Sequence, residues 1–198
     1  MRKRTDSGGA RFTRSLRRAA TGMAGALAAA AILLVPGTAS AGSLGINQEV
    51  QQWDQWCWAA SGLTIAEYFG RTGVSQNTFC DLALGYSTST QCPNTPGQLS
   101  WVQNAFAQLG MAPGSVTGPL SFQGVAAQID SGRPIETGIY WTAGGGHAQV
   151  IYGYDPSTQA ISYGDPWPTS PRYSEMYYGS YVSNSQFYWG QALSGMSG

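Results

Sequence analysis

Helical spacing of apolar residues gives way to strand-like runs at Arg133-Pro134, and that change of texture limits the chain to an α+β architecture. Before it, WCWAASGLTIAEYF (Trp56 to Phe69) repeats apolar residues at helical intervals and stops at Gly70. A second helical pattern, Leu99 to Gly110, follows the Pro96-Gly97 turn, and a third spans Ser121 to Gly132 with Ser121 as its expected N-cap. After it, PIETGIYW, HAQVIYGYD, AISYGD and SEMYYGSYV are rich in Ile, Val and Tyr and punctuated by Gly, Pro and Asp, as strands are. The order predicts an N-terminal helical subdomain and a C-terminal β subdomain sharing one long interface. At 198 residues the chain suits one domain. With 42% hydrophobic and only 10% charged residues, it is not a disordered one.

The first 41 residues read as a secretory signal, leaving 42–198 as the folded domain. A basic stretch ends at Arg18, an apolar run covers Met23 to Val35, and Pro36 leads to the small residues Ala39-Ser40-Ala41 that signal peptidase accepts. The run is too short and alanine-rich for a membrane anchor, which needs about 20 apolar residues. Arg17-Arg18 also admits a twin-arginine export route. Beyond the signal, Arg71, Arg133 and Arg172 stand against nine carboxylates, with no lysine. So acidic a body is a poor partner for nucleic acid or an anionic membrane. A secreted, extracellular monomer is expected.

Export bears on the cysteines. An oxidising compartment favours pairing, and the three cysteines leave one over. Cys80 and Cys92 flank a Gly/Ser/Thr-rich loop, so a disulfide between them is expected; closing a loop of this size stabilises by about 3 kcal/mol in the chain-entropy model. Cys57 remains, at the start of the first helical run. A helix N-terminus and a nearby imidazolium both favour a thiolate, which is the nucleophilic form. The whole sequence has one histidine, His147, carried by Gly144-Gly145-Gly146 into a strand. A lone histidine is most often a bland structural residue, and a lone cysteine a small buried hydrophobe. Together, the pair forms a candidate nucleophile and base.

An imidazole in that role needs an orienting group. Asp165, in YGDPWP, follows the next strand-like run, although Asp-Pro is also a common turn starter. Trp167 would shield the His–Asp contact from water. Attack on an acyl carbon creates an oxyanion, for which the Cys57 N–H and an upstream amide, from Gln51, Gln52 or Gln55, are candidate donors.

VQQWDQWCWAAS (Val50 to Ser61) resembles the active-site start of papain-like cysteine peptidases. It is closest to the compact bacterial branch that includes C39-like peptidases and relatives of the AvrRpt2 effector. GGGHAQVIYGYD resembles that group's histidine segment, GDPW its third-residue segment, and SGRPIETGIYW the strand before the histidine. The resemblance runs from about Val50 to Trp167 and implies a papain-like fold with its active site in the cleft between subdomains. By position it makes Cys57 the nucleophile, His147 the general base and acid, Asp165 the orienting residue and Gln51, six before the cysteine, the oxyanion amide. Gln52 and Gln55 become ordinary surface residues, and Trp56 and Trp58 packing. Papain has Asn where this chain has Asp165.

The expected function is therefore a secreted cysteine peptidase acting on protein or peptide substrates through a thioester. No cofactor is implied, since one histidine and one spare thiol cannot make an ordinary zinc site. The rivals are another thiol acyl-transfer enzyme (cell-wall amidase, isopeptidase, deamidase or transferase) and a non-catalytic binding module on a peptidase scaffold.

Overall fold

The HAQVIYGYD run forms the longest strand of a seven-stranded sheet with helices on both faces. The structure is a computed structural model that describes residues 40–198. The expected signal segment lies outside the described residues apart from its last two positions. In chain order the elements are β1 (Gly42–Ser43), α1 (Cys57–Tyr68), α2 (Gln76–Leu84), α3 (Leu99–Gln108), β2 (Ser115–Thr117), α4 (Phe122–Asp130), β3 (Ile135–Trp141), β4 (Gly146–Asp155), β5 (Ala160–Gly164), β6 (Tyr173–Tyr177), α5 (Tyr178–Val182) and β7 (Phe187–Ser194).

Every pairing is antiparallel, in the order β2-β7-β3-β4-β5-β6. β1 continues the lane of β3 along β4: Ile135 pairs with Ile151, and Ser43 with Gly153. The first two residues after the expected signal cleavage are therefore stitched into the sheet.

The two faces of the sheet bury separate cores. Under α1, α2 and α3 lie Trp56, Phe79, Val102 and Phe106, against Val150 and Leu193 of the sheet. On the far face, Val125 and Ile129 of α4 and Tyr181 of α5 close over Ile135, Ile151, Ile161 and Trp189. The alternation of side chains along β3 and β4 assigns successive residues to opposite cores. The third helical pattern thus belongs to the β subdomain rather than to the helical one. Ser121 caps it as expected, accepting from Gly124 N–H at 3.1 Å.

Three parts of the fold differ from the sequence reading or go beyond it. SEMYYGSYV is a strand only as far as Tyr177. The chain then turns into α5, because Gly179 lacks a Cβ that would lie 2.7 Å from the Tyr177 ring, and Tyr181 drops into the far core. α2 is framed by an N-cap, Ser75, and by Gly85 in the left-handed region. β7 inserts between β2 and β3, so the C-terminal segment is structural throughout.

Close packing of α1 depends on one glycine. A Cβ on Gly62 would lie 2.6 Å from Phe79 and 2.9 Å from Val102. Gly62→Ala is therefore expected to destabilise the fold by about 1–3 kcal/mol despite alanine's better helix propensity, read as a lowered urea midpoint.

Candidate active site

α1 begins at Cys57, and no side chain caps it. Its first-turn N–H groups, Cys57's among them, thus keep the partial positive charge of a helix N-terminus for whatever meets them. The half-buried Cys57 is the free cysteine of the described residues, and Cys80 and Cys92 form a disulfide, as expected.

That disulfide anchors a strap beside the first turn of α1. Trp56 Nε1–H donates to Pro93 O at 2.9 Å, Trp58 Nε1–H to Thr95 O at 3.1 Å, and Gln55 N–H to Asn94 Oδ1 at 2.9 Å. The strap starts at Cys92, whose own N–H donates to Asn77 Oδ1 of α2. Both indoles are buried, so their N–H groups need these acceptors, and the bonds fix the rotation of α1's first turn. Gly97 lies flat against Trp58: a Cβ there would be 2.2 Å from the indole.

Across the cleft, the β3–β4 hairpin and the β5 exit bring His147 to Asp165, with Nε2 and Oδ1 2.8 Å apart. The carboxylate is fully engaged, since Oδ1 also accepts from Trp167 N–H and Oδ2 accepts from Gln149 Nε2, each at 2.8 Å. Gln149 is held in turn by Tyr181, whose hydroxyl donates to Gln149 Oε1 at 2.9 Å and meets Thr137 Oγ1 at 2.7 Å. Arg172 donates to the Asp165 main-chain oxygen, and Gln51 N–H to Pro166 O at 2.9 Å, tying the Asp165 loop to the segment that leads into α1.

The electrostatics follow. Burial pushes His147 down, but hydrogen bonds to Asp165 and Cys57 and the charges of both raise it to about 9. Burial pushes Asp165 up; the hydrogen bond and charge of His147, with the Trp167 and Gln149 donors, outweigh it and hold the carboxyl below its usual range. With Nε2 taken by Asp165, Nδ1 is the nitrogen left for Cys57.

Cys57, His147, Asp165 and Trp167 line one cleft of about 780 Å³, walled by Pro96, Gly97 and Leu99 on the helical side and by Gly138, Tyr140 and Gln191 on the sheet side. Trp167 stands edge-on to His147, with centroids 6.4 Å apart. Gln51 is buried, but its Nε2 donates to Trp53 O and Asp54 O, both at 2.9 Å, and it is not among the residues lining the cleft. Gln52 and Gln55 are exposed, as expected, although Gln55 does border the cleft. Trp56 and Trp58 are packing residues with a second task, as partners of the strap. The sequence reading missed Gln149, two residues after His147, although strand alternation already puts the two on one face. It also missed Trp141, stacked on His147, and Glu136.

Glu136 is fully buried in β3, its neighbours across the sheet are Val150 and Leu193, and neither carboxyl oxygen has a hydrogen-bond partner among the described residues. Burial first, and the charge of Cys57 second, hold it protonated far above the usual carboxylate range. Stability from such a group is full below the ordinary carboxylate pKa, about 4.3, and declines as pH rises toward the folded value. Asp165 works in the opposite sense, losing its contribution on acidification; His147 contributes fully below about 6.5 and loses its contribution as pH rises to about 9. Stability should therefore peak in the mildly acidic range. Glu136→Gln should flatten the decline in stability that sets in as pH rises above the ordinary carboxylate range, as measured by urea unfolding across pH.

The family model described as papain-like cysteine protease AvrRpt2 matches residues 40–185. No curated protein matches the chain. The matched span takes in α1 with Cys57, the strap, the β3–β4 hairpin with His147 and the Asp165 loop, and the helices and antiparallel sheet agree with that fold. The chain belongs to the papain-like cysteine proteases of the AvrRpt2 family.

Proposed function

We propose that this protein is a secreted cysteine peptidase that hydrolyses peptide bonds through Cys57, His147 and Asp165. The observation that carries the reading is the sole histidine, bonded through Nε2 to a fully engaged carboxylate and influenced on its other side by Cys57. The Cys57 thiolate attacks the peptide carbonyl carbon, and the carbonyl electron pair moves onto oxygen. That oxyanion sits at the N-terminus of α1, where the Cys57 N–H donates to it. Gln51 is the second donor, and its amide must release a main-chain carbonyl to serve. His147 protonates the leaving amine, the C–N bond breaks and a thioester remains. His147 then takes a proton from water, which attacks the thioester and frees the acid and the thiolate. Asp165 stabilises the imidazolium and fixes its ring. Export accords with the Cys80–Cys92 disulfide, a bond that an oxidising compartment preserves.

One fast-alkylating thiol per molecule is expected with iodoacetamide, and Cys57→Ala should abolish both the labelling and the hydrolysis. Denatured proteins and peptidoglycan offered side by side separate a peptidase from a cell-wall amidase; cleavage of peptidoglycan alone would sink the peptidase reading. Activity should fall as pH rises through about 9, where His147 loses its proton, and Asp165→Asn should move that limb to lower pH.

A further inference from the structure

Two indoles flank His147, in different ways. Trp167 meets it at 82°, whereas Trp141 lies almost parallel to it, at 24° with centroids 6.1 Å apart. The hairpin builds this stack. Trp141 ends β3, and the turn is closed by Trp141 N–H to Gly145 O at 3.0 Å and Gly144 N–H to Trp141 O at 2.9 Å. Gly144 and Gly145 supply the positive φ angles that so tight a return requires, 95° and 86°. Ile139 pairs with His147, so Trp141, two residues on, is the diagonal neighbour on the same face of the sheet. From the next strand Phe187, paired with Trp141, packs edge-on against its indole at 5.6 Å and limits its swing.

We infer that Trp141 is a positioning residue of the proposed reaction: its indole face holds the protonated His147 ring in the plane that points one nitrogen at Asp165 and the other at Cys57. A cation within about 6 Å of an indole face is attracted by the ring quadrupole, and the attraction grows as water is excluded. The His147 side chain is only 8% exposed, and Trp141 covers it while remaining 37% exposed itself. Removing the ring therefore opens a rim rather than a core. The inference rests on the reading of His147 as the proton carrier.

Because His147 is the only histidine, its Cε1–H NMR signal titrates without ambiguity. The comparison is wild type, Trp141→Phe and Trp141→Leu, the last keeping bulk without a π face, each also made with Cys57→Ala. Trp141→Leu should lower the His147 midpoint by roughly half a pH unit, the size of a half-exposed cation–π contact. Trp141→Phe should keep most of the wild-type midpoint, and in the variants that retain Cys57 the alkaline limb of hydrolysis should move with the midpoint. An unmoved midpoint in Trp141→Leu, or an equal fall in Trp141→Phe, overturns the inference. The Cys57→Ala background isolates the underlying reading: if Cys57→Ala alone titrates like wild type, the Cys57–His147 pair fails, while the Trp141 comparison is still decided in the same spectra.

Discussion

The bond between His147 and Asp165 depends on more of the molecule than any other contact in the cleft. It joins the second residue of β4 to the end of β5, so the register between those strands decides whether it forms. Asp165 brings no lysine or arginine to neutralise it; its side chain is held by three donors, one of them a glutamine fixed by a buried tyrosine. A carboxylate so saturated stays ionised and cannot turn away, and an imidazole bonded to it has one orientation left. The His147–Asp165 pair is thus only the visible end of a chain running from the far core, through Tyr181 and Gln149, to the cleft.

The two sides of the cleft are positioned by different means. On the sheet side the work is done by strand register and a glycine turn. On the helical side it is done by the strap from Cys92 to Gly97, which accepts hydrogen bonds from both indoles flanking Cys57. The two sides are then tied together by main-chain bonds such as Gln51 N–H to Pro166 O. Family membership supports cysteine protease chemistry in general, and the geometry of the cleft is what the proposed roles of Cys57, His147 and Asp165 rest on.

Much of this was legible in the residues. WCWAASGLTIAEYF carries enough helical period to place a helix start at Cys57, and HAQVIYGYD is too rich in β-branched and aromatic residues to be anything but a strand. Cys80 and Cys92 paired because the loop between them is short and the third cysteine stands apart. What stayed hidden was set by tertiary contacts. SEMYYGSYV has strand composition throughout, yet Tyr178–Val182 becomes helix because Tyr181 fills a cavity that only the folded sheet defines. β7 shows little alternation, since its residues face both cores and a bulge opposite Gly138 and Ile139 shifts its register. Glu136 looks like a solvated residue in PIETGIYW, and nothing local reveals that Val150 and Leu193 wall it in. The Gln51 spacing was readable, but the direction of its amide was not, because Trp53 O and Asp54 O attract it only once the loop is folded.

Under the proposed function the three sulfurs need opposite redox states. The proposed reaction needs Cys57 reduced, and it is half-buried in the cleft, while Cys80 and Cys92 are 0% and 2% exposed. Thiol–disulfide exchange needs the attacking thiolate to touch a sulfur atom. A small reductant from the medium therefore reaches an oxidised Cys57 before it reaches the disulfide that steadies it. Access sorts the two jobs kinetically, and the molecule can be rescued from oxidation without its scaffold being unfastened.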